Sequence, residues 1–435
     1  MAEPTRRLYG VLLGDEEHGC GDLPEEVCAE VPRNAGRLVG ALTLQHAGDF
    51  VVDAKTVLAW LLATVGAPAG LTGLLVPVRE SGSLLPQAGL VPWVRRLPVR
   101  KWLWVGGAGV QAAAVAVMAA VVATTTGTAA GWGIIAALAL FALGRSVSSI
   151  AAKDVMGRTV PKGRRGRVTG YATVASGLVA VTVGVAIRGL GAEAAGTTVF
   201  VWMLGAAALT WVAAATVFAT VAEPGGGSDD SLRAGWLGHA VGLLRRDQPF
   251  RRFVVTRTLL LVSALSPPFV VALAAEESGA AFGQLGAFVA ATGLAALVGG
   301  PLWGRLADRS SRTVMALASA GASGVVVALL AATTVEALRT AAWLYPLAYV
   351  LLALAHTGAR IGRKTYVVDL GEGNQRTDYV ATSNSAMGLL LLVTGGVSAA
   401  LAELGIGIAL GFLAVLGTAG ALAARTLPEV TRPAN

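Results

Sequence analysis

Two charged residues interrupt an apolar stretch of the sequence. The segment LLVPVRESGSLLPQAGLVPWV, residues 74–94, carries Arg79 and Glu80. Arg79 follows Pro68 by eleven residues, which corresponds to about 16 Å along a helix axis and to a depth near the middle of a bilayer. An unpaired charge at that depth costs about 2.5–3.5 kcal/mol. Consecutive helical residues point about 100° apart, so at least one of the two side chains must reach a neighbouring helix.

The preceding apolar stretch offers partners for these charges. His46, Asp49 and Asp53 recur at i, i+3 and i+7 and therefore form one stripe of a helix. The short turn GAPAG, residues 66–70, makes this helix and the next antiparallel neighbours. The stripe and the charges of the next helix thus meet at similar depth.

This arrangement predicts a contact between Arg79 and Asp49, with Glu80 turned towards a cavity or towards the opposite half of the molecule. Burial raises the pKa of a carboxyl group and a nearby arginine lowers it, so a motion that separates the pair would change its proton affinity. A static pair that only joins two helices is the alternative. Polar contacts inside membrane bundles add only about 0.6 kcal/mol on average, which favours a functional role.

Prolines accompany the charges. The second apolar stretch contains Pro77, Pro86 and Pro92. Pro86 removes the backbone bond to the carbonyl of Gly82, so we expect the helix to bend there and to free backbone groups that can line water. The segment SALSPPFVV has the same feature at Pro267 and Pro268. A static kink is the alternative in both places.

The whole chain has the composition of a membrane protein. Of its 435 residues, 54% are hydrophobic and 14% are charged, whereas a soluble domain carries about 25% charged residues. Twelve apolar stretches are long enough to cross a bilayer, and lipid leaves open strand edges without partners, so we predict an all-α polytopic protein. The stretches are residues 36–57, 68–94, 102–124, 131–151, 168–189, 198–221, 253–275, 281–304, 313–334, 341–360, 380–401 and 405–425.

Positive charge is concentrated on one side of the predicted spans. Of the 34 Lys and Arg residues, 28 fall in the two tails and in the alternate loops 95–101, 153–167, 223–252, 305–312 and 360–379. This pattern predicts a multi-pass protein of the cell membrane, inner or plasma, with both termini in the cytoplasm and lipids as its surroundings. The net charge of +8 follows from the same pattern, so no nucleic-acid partner is expected.

The spans are predicted to form two sets of six. The clearest linker, residues 222–252, begins with Gly and Ser and ends in a short basic amphipathic segment. The predicted order is an acidic cytoplasmic tail, a six-helix bundle, a cytoplasmic loop, a second six-helix bundle and a cytoplasmic tail, at residues 1–35, 36–221, 222–252, 253–425 and 426–435.

The two sets repeat weakly in sequence. Arg145 and Asp154 are nine residues apart, and Arg360 and Asp369 have the same separation at an offset of 215. Two pseudo-symmetric halves with a long middle loop are a common plan of secondary transporters, which bind their substrates between the halves.

The N-terminal tail holds both cysteines of the chain. Cys20 and Cys28 lie near His18, but their spacing matches no strong zinc pattern. We predict two reduced cytoplasmic thiols, with a metal site as the less favoured alternative.

A short loop carries a resemblance to a known family. The segment GRLADRSSR, residues 304–312, resembles the loop signature of the major facilitator superfamily (MFS) at Gly304, Asp308, Arg309 and Arg312, although Ser311 replaces the usual second glycine. The resemblance implies an MFS permease with two six-helix halves, in which this loop latches the cytoplasmic side through Asp–Arg contacts between helix ends. The corresponding loop of the first half, VRRLPVRK, has neither the glycine nor the aspartate.

Four further residues lie towards the inner ends of predicted spans four, seven and ten. They are Arg145, Arg257, His356 and Arg360. The resemblance places these spans on the central cavity, which implies contacts with substrate or with the latch. Snorkelling of the arginines to the inner surface is the alternative, and a lone histidine often serves packing instead.

The chain shows no sign of an enzyme. The segment GARIGRKT, residues 358–365, has three rather than four residues between its glycines and Arg363 where a P-loop needs lysine, so ATP is not expected to drive the protein directly. No catalytic motif, cofactor or metal site is predicted.

We therefore expect a monomeric, non-enzymatic permease that moves a small solute by alternating access, coupled to protons. Uptake and efflux both stay open, because predicted span five lacks the proline of the antiporter pattern. An anionic substrate held by the arginines, a uniport cycle, and a receptor or lipid-handling protein on the same scaffold are the alternatives.

Overall fold

A computed structural model describes residues 25–161, 165–189, 196–225, 236–277, 283–307, 309–370 and 375–430. Within these ranges the chain forms seventeen helices and no strand. The first eight are α1 (Glu25–Cys28), α2 (Val31–Val51), α3 (Val57–Thr64), α4 (Ala69–Arg96), α5 (Lys101–Thr124), α6 (Gly127–Thr159), α7 (Arg165–Gly189) and α8 (Thr197–Ala219).

The other nine follow the linker. They are α9 (Trp236–Arg246), α10 (Gln248–Leu259), α11 (Val262–Glu277), α12 (Gly283–Ala307), α13 (Ser311–Ala332), α14 (Glu336–Arg339), α15 (Leu344–Leu370), α16 (Gln375–Leu404) and α17 (Ile406–Arg425).

Nine helical segments of the described chain are long and apolar enough to cross a membrane. They correspond to nine of the twelve predicted spans. Predicted spans one and two are not among them and carry the charged residues considered above. In the helix of predicted span five, the apolar piece Val174–Gly189 is shorter than the nine segments and is not counted among them. The nine segments make the protein a multi-pass membrane protein.

Predicted span one is two helices rather than one. Helix α2 ends at Val51 and α3 begins at Val57, so the expectation of a single helix over 36–57 is wrong. The Asp53 carboxylate accepts bonds from the Lys55 amide at 2.9 Å and from the Thr56 hydroxyl at 3.0 Å. Such local bonds compete with the backbone pattern of a helix, which accounts for the break.

Helix α4 stays continuous through its prolines, so Pro86 does not interrupt it. The side chains of Ser83 and Gln87 donate to the carbonyls of Arg79 and Ser83, both at 2.7 Å. The two accepting carbonyls lie on either side of the Gly82 carbonyl, which Pro86 leaves without its helical donor. In predicted span seven the break falls at residues 260–261, ahead of the prolines Pro267 and Pro268, which are buried inside α11.

Several helices extend beyond the predicted spans. Helix α6 runs to Thr159 and α15 to Leu370, through segments that the charge pattern assigned to loops. Arginine and lysine are good helix formers, so a helix that leaves the apolar region can continue through them.

Close helix packing joins the chain before the linker to the chain after it. Helix α4 packs against α16, and α7 packs against α12. A Cβ atom on Gly184 of α7 would lie 2.8 Å from the carbonyl oxygen of Gly286 and 2.7 Å from the amide of Ala290, both in α12. Small residues let backbones approach in this way inside membranes.

The predicted outer end of the bundle is closed by contacts between these two parts. Helix α3 packs against α11 and α12, with the rings of Trp60 and Phe288 at 6.2 Å. The Gly70 amide donates to the carboxylate of Glu403 at 2.8 Å. At the predicted cytoplasmic end, the ion pairs Arg100–Asp154 and Arg312–Glu429 each stay within one part.

The prediction of two reduced thiols is wrong for Cys28, which is disulfide-bonded. The other cysteine of the sequence, Cys20, lies outside the described residues. Sequence spacing could not distinguish the two states, because it carries no information on the distance between the sulfur atoms.

Candidate functional site

Asp49 joins two arginines from different helices. Its Oδ1 atom lies 3.1 Å from Arg79 Nη2 of α4, and its Oδ2 atom lies 2.9 Å from Arg145 Nη2 of α6. The structure therefore contains the predicted Arg79–Asp49 contact and adds a second arginine to it. The Asp49 side chain is 13% exposed, so this ion network is mostly shielded from solvent.

The break between α2 and α3 completes the surroundings of Arg79. Its Nη1 atom donates to the carbonyl oxygen of Val52 at 2.9 Å and lies 3.5 Å from Asp53 Oδ2. The guanidinium also lies over the Phe141 ring, 5.7 Å from its centroid. A carbonyl freed by the broken helix, two carboxylates and an aromatic face thus surround one partly buried cation.

The guanidinium of Arg145 has fewer hydrogen-bond acceptors and counter-charges around it than that of Arg79. Asp49 is its partner, and its buried Nη1 atom makes no hydrogen bond. His46, on the same stripe as Asp49, contacts the Ser176 hydroxyl of α7 at 3.0 Å through Nδ1. The predicted stripe therefore links α2 to α4, α6 and α7, with Asp49 at its centre.

Glu80 points away from this network. Its side chain is exposed, although it lies next to Arg79 in the middle of α4. Lys55, at the α2–α3 break, and Arg363, on α15, both lie within electrostatic range of it. Glu80 is thus an exposed carboxylate within electrostatic range of Arg363, which belongs to the part of the chain after the linker; its orientation towards a cavity stays a prediction.

Arg257 does not snorkel to a surface. It is 7% exposed and donates from Nη1 to the Ser383 hydroxyl at 2.9 Å and from Nη2 to the Asn384 side-chain oxygen at 3.0 Å. Its Nε atom has no hydrogen-bond partner. The arginine therefore fastens α10 to α16 through neutral acceptors.

His356 and Arg360 lie on α15 near the break in predicted span seven. The Nδ1 atom of His356 is 3.4 Å from the Ser263 hydroxyl of α11. Pro267 cannot donate to the carbonyl of Ser263, so one backbone hydrogen bond of α11 is missing next to the histidine, although the helix continues. Arg360 lies one turn further along α15 and is exposed.

The structure describes three of the four predicted latch residues, and the latch itself stays a prediction. Asp308 lies outside the described residues, Gly304 has open space around it and Arg309 is exposed. Arg312 pairs with Glu429 at 2.9 Å. This pair lies within the second part of the chain and does not connect the two parts.

Two carboxylates just after the sixth and the last predicted spans were missed by the sequence reasoning. Glu223 accepts from the amides of Arg100 and Lys101 at 2.8 and 2.7 Å, at the start of α5. Glu429 accepts from the Ser310 hydroxyl, at the start of α13, at 2.6 Å. The signal was present in the sequence as a glutamate beside a proline at residues 223–224 and 428–429.

No cluster of three or more His, Cys, Asp or Glu side chains suited to a metal ion occurs in the part of the chain that the structure describes. The acidic residues of the network face arginines instead.

The structure is similar to solved structures of transporters. A point mutant of the nucleoside transporter NupG has a TM-score of 0.71 at 10% identity, over 91% of this chain and 99% of that chain. A POT family transporter in complex with a thioalcohol-conjugated peptide has a TM-score of 0.68 at 11% identity, over 90% and 95% of the two chains. A D-xylose–proton symporter has a TM-score of 0.66 at 13% identity, over 92% and 98%.

These neighbours have the MFS fold, so the chain has that fold too, as the segment at 304–312 predicted. No family model matches the chain. No curated protein matches it in sequence. At identities this low, the likeness establishes the architecture of the protein and leaves its substrate to be argued from its own residues.

Proposed function

We propose that the protein is a secondary transporter that moves a small solute across a membrane by alternating access. In this proposal twelve spans form two six-helix halves, residues 36–221 and 253–425, with both termini in the cytoplasm. Helices α2 and α3 together form span one, and α10 and α11 together form span seven. The chain works as a monomer and needs no cofactor.

The observation that carries the proposal is the Asp49 network. A carboxylate that joins Arg79 and Arg145 ties three helices together in the middle of the bundle. Buried ion pairs add little net stability, because desolvation offsets their attraction. Ionisable residues inside a membrane bundle mark substrate or proton pathways by default.

The energy source that we propose is a proton gradient. One of the similar structures is a D-xylose–proton symporter, which supports proton coupling for this fold. Asp49 and Glu80 are the two carboxylates that we assign to coupling, Asp49 because it bridges two helices and Glu80 because it faces the other half. A change in the distance between the halves alters the charges around Glu80, and a motion that separates Asp49 from its arginines alters the charges around Asp49, so either motion changes the affinity of a carboxylate for protons.

Reconstituted vesicles test this proposal. Solute exchange without a gradient would be measured as counterflow, and accumulation would be measured after an imposed pH step, for a panel of sugars, nucleosides, peptides and organic anions. The variants are Asp49→Asn and Glu80→Gln, with Glu336→Gln in the exposed α14 as the matched control.

We expect counterflow in all forms of the protein and a loss of pH-driven accumulation in at least one of the two coupling variants. Unchanged accumulation in both variants would remove the proton assignment and leave transport intact. Absence of counterflow for every class of solute would contradict transport itself and favour a receptor or lipid-handling role.

A further inference from the structure

Helix α15 carries a row of basic side chains on one face. His356, Arg360, Arg363 and Lys364 occupy positions i, i+4, i+7 and i+8, which lie on the same side of a helix. Arg360 and Lys364 are exposed, and Arg363 is half-buried. The row begins where His356 meets Ser263 of α11, so it lies along the interior break in span seven.

Further cations surround this row. Arg257 of α10 lies within electrostatic range of Arg363, and Lys55 of the first half lies within range of both Arg360 and Arg363. Lys153 at the end of α6 lies within range of Lys364. The row therefore faces positive charge from its own half and from the opposite half.

The cations of this region are not neutralised as those of the Asp49 network are. Among the described residues, no carboxylate oxygen lies within 4.0 Å of the side-chain nitrogens of Lys55, Arg360 or Arg363, although Asp53 accepts from the backbone amide of Lys55. Glu80 is the carboxylate that acts on Arg363. Like charges held together in this way repel one another, and the repulsion is strongest where water is partly excluded.

Arg257 gives a second, independent indication of a missing anion. Its guanidinium is buried, its two described partners are the neutral side chains of Ser383 and Asn384, and its Nε–H has no acceptor. Burying a charge without a counter-charge is costly, and a bound anion would remove that cost.

We propose that the basic row of α15, with Lys55 and Arg257, binds the anionic group of the transported solute, which is a small organic anion with a carboxylate or phosphate group. This inference rests on the proposed transport function and specifies its substrate class. Guanidinium groups match the planar geometry of carboxylates and phosphates and can bind them through two parallel hydrogen bonds. A neutral sugar or nucleoside would leave the same cations without a counter-charge.

Binding measurements on the detergent-purified full chain test the inference. The anionic probes are citrate and inorganic phosphate, and the neutral probes are glucose and uridine, each titrated by calorimetry in low-chloride buffer. The variants are Arg363→Gln, Arg360→Gln and the charge-keeping Arg363→Lys. Arg245→Gln, which removes an exposed arginine of α9, is the matched control.

We expect at least one of the two anions to bind. The affinity for that anion should fall about tenfold or more in Arg363→Gln, because the loss of one hydrogen bond between charged groups has an effect of this size. Arg363→Lys should retain more affinity, and Arg245→Gln should match the unmodified protein. Arg360→Gln replaces an exposed side chain and provides the same test should Arg363→Gln not fold. Binding of citrate alone or of phosphate alone identifies the anionic group.

The inference is overturned if neither anion binds at millimolar concentration, whether or not a neutral probe binds. It is also overturned if both glutamine variants bind the anion with the same affinity as the unmodified chain. Transport measurements separate this failure from failure of the proposed function. Counterflow of glucose or uridine alone would keep transport and remove the anionic substrate. Anion binding that depends on the row, without counterflow of any solute, would keep the site and remove transport.

Discussion

The two arginines of the central network depend on Asp49 to different degrees. Arg79 also has Asp53 at 3.5 Å and the Val52 carbonyl at 2.9 Å, whereas Asp49 is the carboxylate that lies close to Arg145. The Asp49→Asn substitution therefore leaves Arg79 with a counter-charge and leaves Arg145 without one. Arg145→Gln leaves Asp49 paired with Arg79.

The structure thus predicts an asymmetric double-mutant cycle. An arginine without a partner at bilayer depth costs about 2.5–3.5 kcal/mol, and the 23% exposure of Arg145 reduces this, so Asp49→Asn should lower the free energy of unfolding by about 2 kcal/mol. Arg145→Gln removes one polar contact and should cost about 0.6 kcal/mol. The double variant has no stranded charge and should cost about 1 kcal/mol, which gives an interaction energy of about 1.5 kcal/mol.

Denaturant titration of the purified protein in mixed micelles, followed by circular dichroism, measures these differences. The exposed pair Glu30–Arg33 provides a control cycle, for which the interaction energy should stay below about 0.5 kcal/mol. Additive effects at Asp49 and Arg145, within about 0.5 kcal/mol, would refute the reasoning. So would an Arg145→Gln variant as unstable as Asp49→Asn, because Asp49 would then not be shared as described.

Three further contacts give separate predictions. Gly184→Val should lower the midpoint temperature of unfolding and the transport rate, because a Cβ atom at this position would lie 2.7 Å from an amide of α12. Gly205→Val should change neither quantity, because the space around its Cβ position is open. Glu223→Gln should lower the free energy of unfolding by about 1 kcal/mol, because the carboxylate caps the positive end of α5; equal denaturation midpoints would contradict this. Glu403→Ala should speed hydrogen exchange at the Gly70 amide, and an unchanged rate would show that the contact does not protect this amide.

The Arg79–Asp49 contact was accessible from sequence because helix geometry places both residues at similar depth. The premise that α2 and α4 pack as antiparallel neighbours was wrong: α2 packs mainly against α7 and α8, α4 packs mainly against α6 and α16, and the long Arg79 side chain makes the contact. The contribution of Arg145 was less visible, because nothing in the sequence specifies how α6 packs against α2. The break at 52–56 was missed because Asp53 was assigned to the stripe, although Asp and Thr at this spacing also favour a local turn.

The basic row of α15 was missed for a different reason. A run of charges usually marks the end of a membrane helix, so Arg363 and Lys364 were assigned to the loop at 360–379. The structure continues the helix to Leu370 and thereby places both residues on the same face as His356. Hydropathy cannot distinguish a cationic loop from a cationic helix face that lines water, because both remove the same residues from lipid.

The two halves differ in whether their arginines are paired with carboxylates, and this difference links the proposed coupling to the proposed substrate. In the first half Asp49 and Asp53 neutralise two partly buried arginines, so that network can hold helices in position without a ligand. In the second half, no carboxylate among the described residues lies within 4.0 Å of the side-chain nitrogens of Arg360 or Arg363, which leaves the row of α15 available for the proposed anion. Glu80 acts on both Lys55 and Arg363 and therefore competes with an anion for the same cations. In the proposed cycle a proton on Glu80 would remove that competition, and thermodynamic linkage would then couple the binding of anion and proton in both directions. Under the two proposals made above, these charges favour carrying anion and proton together in one cycle.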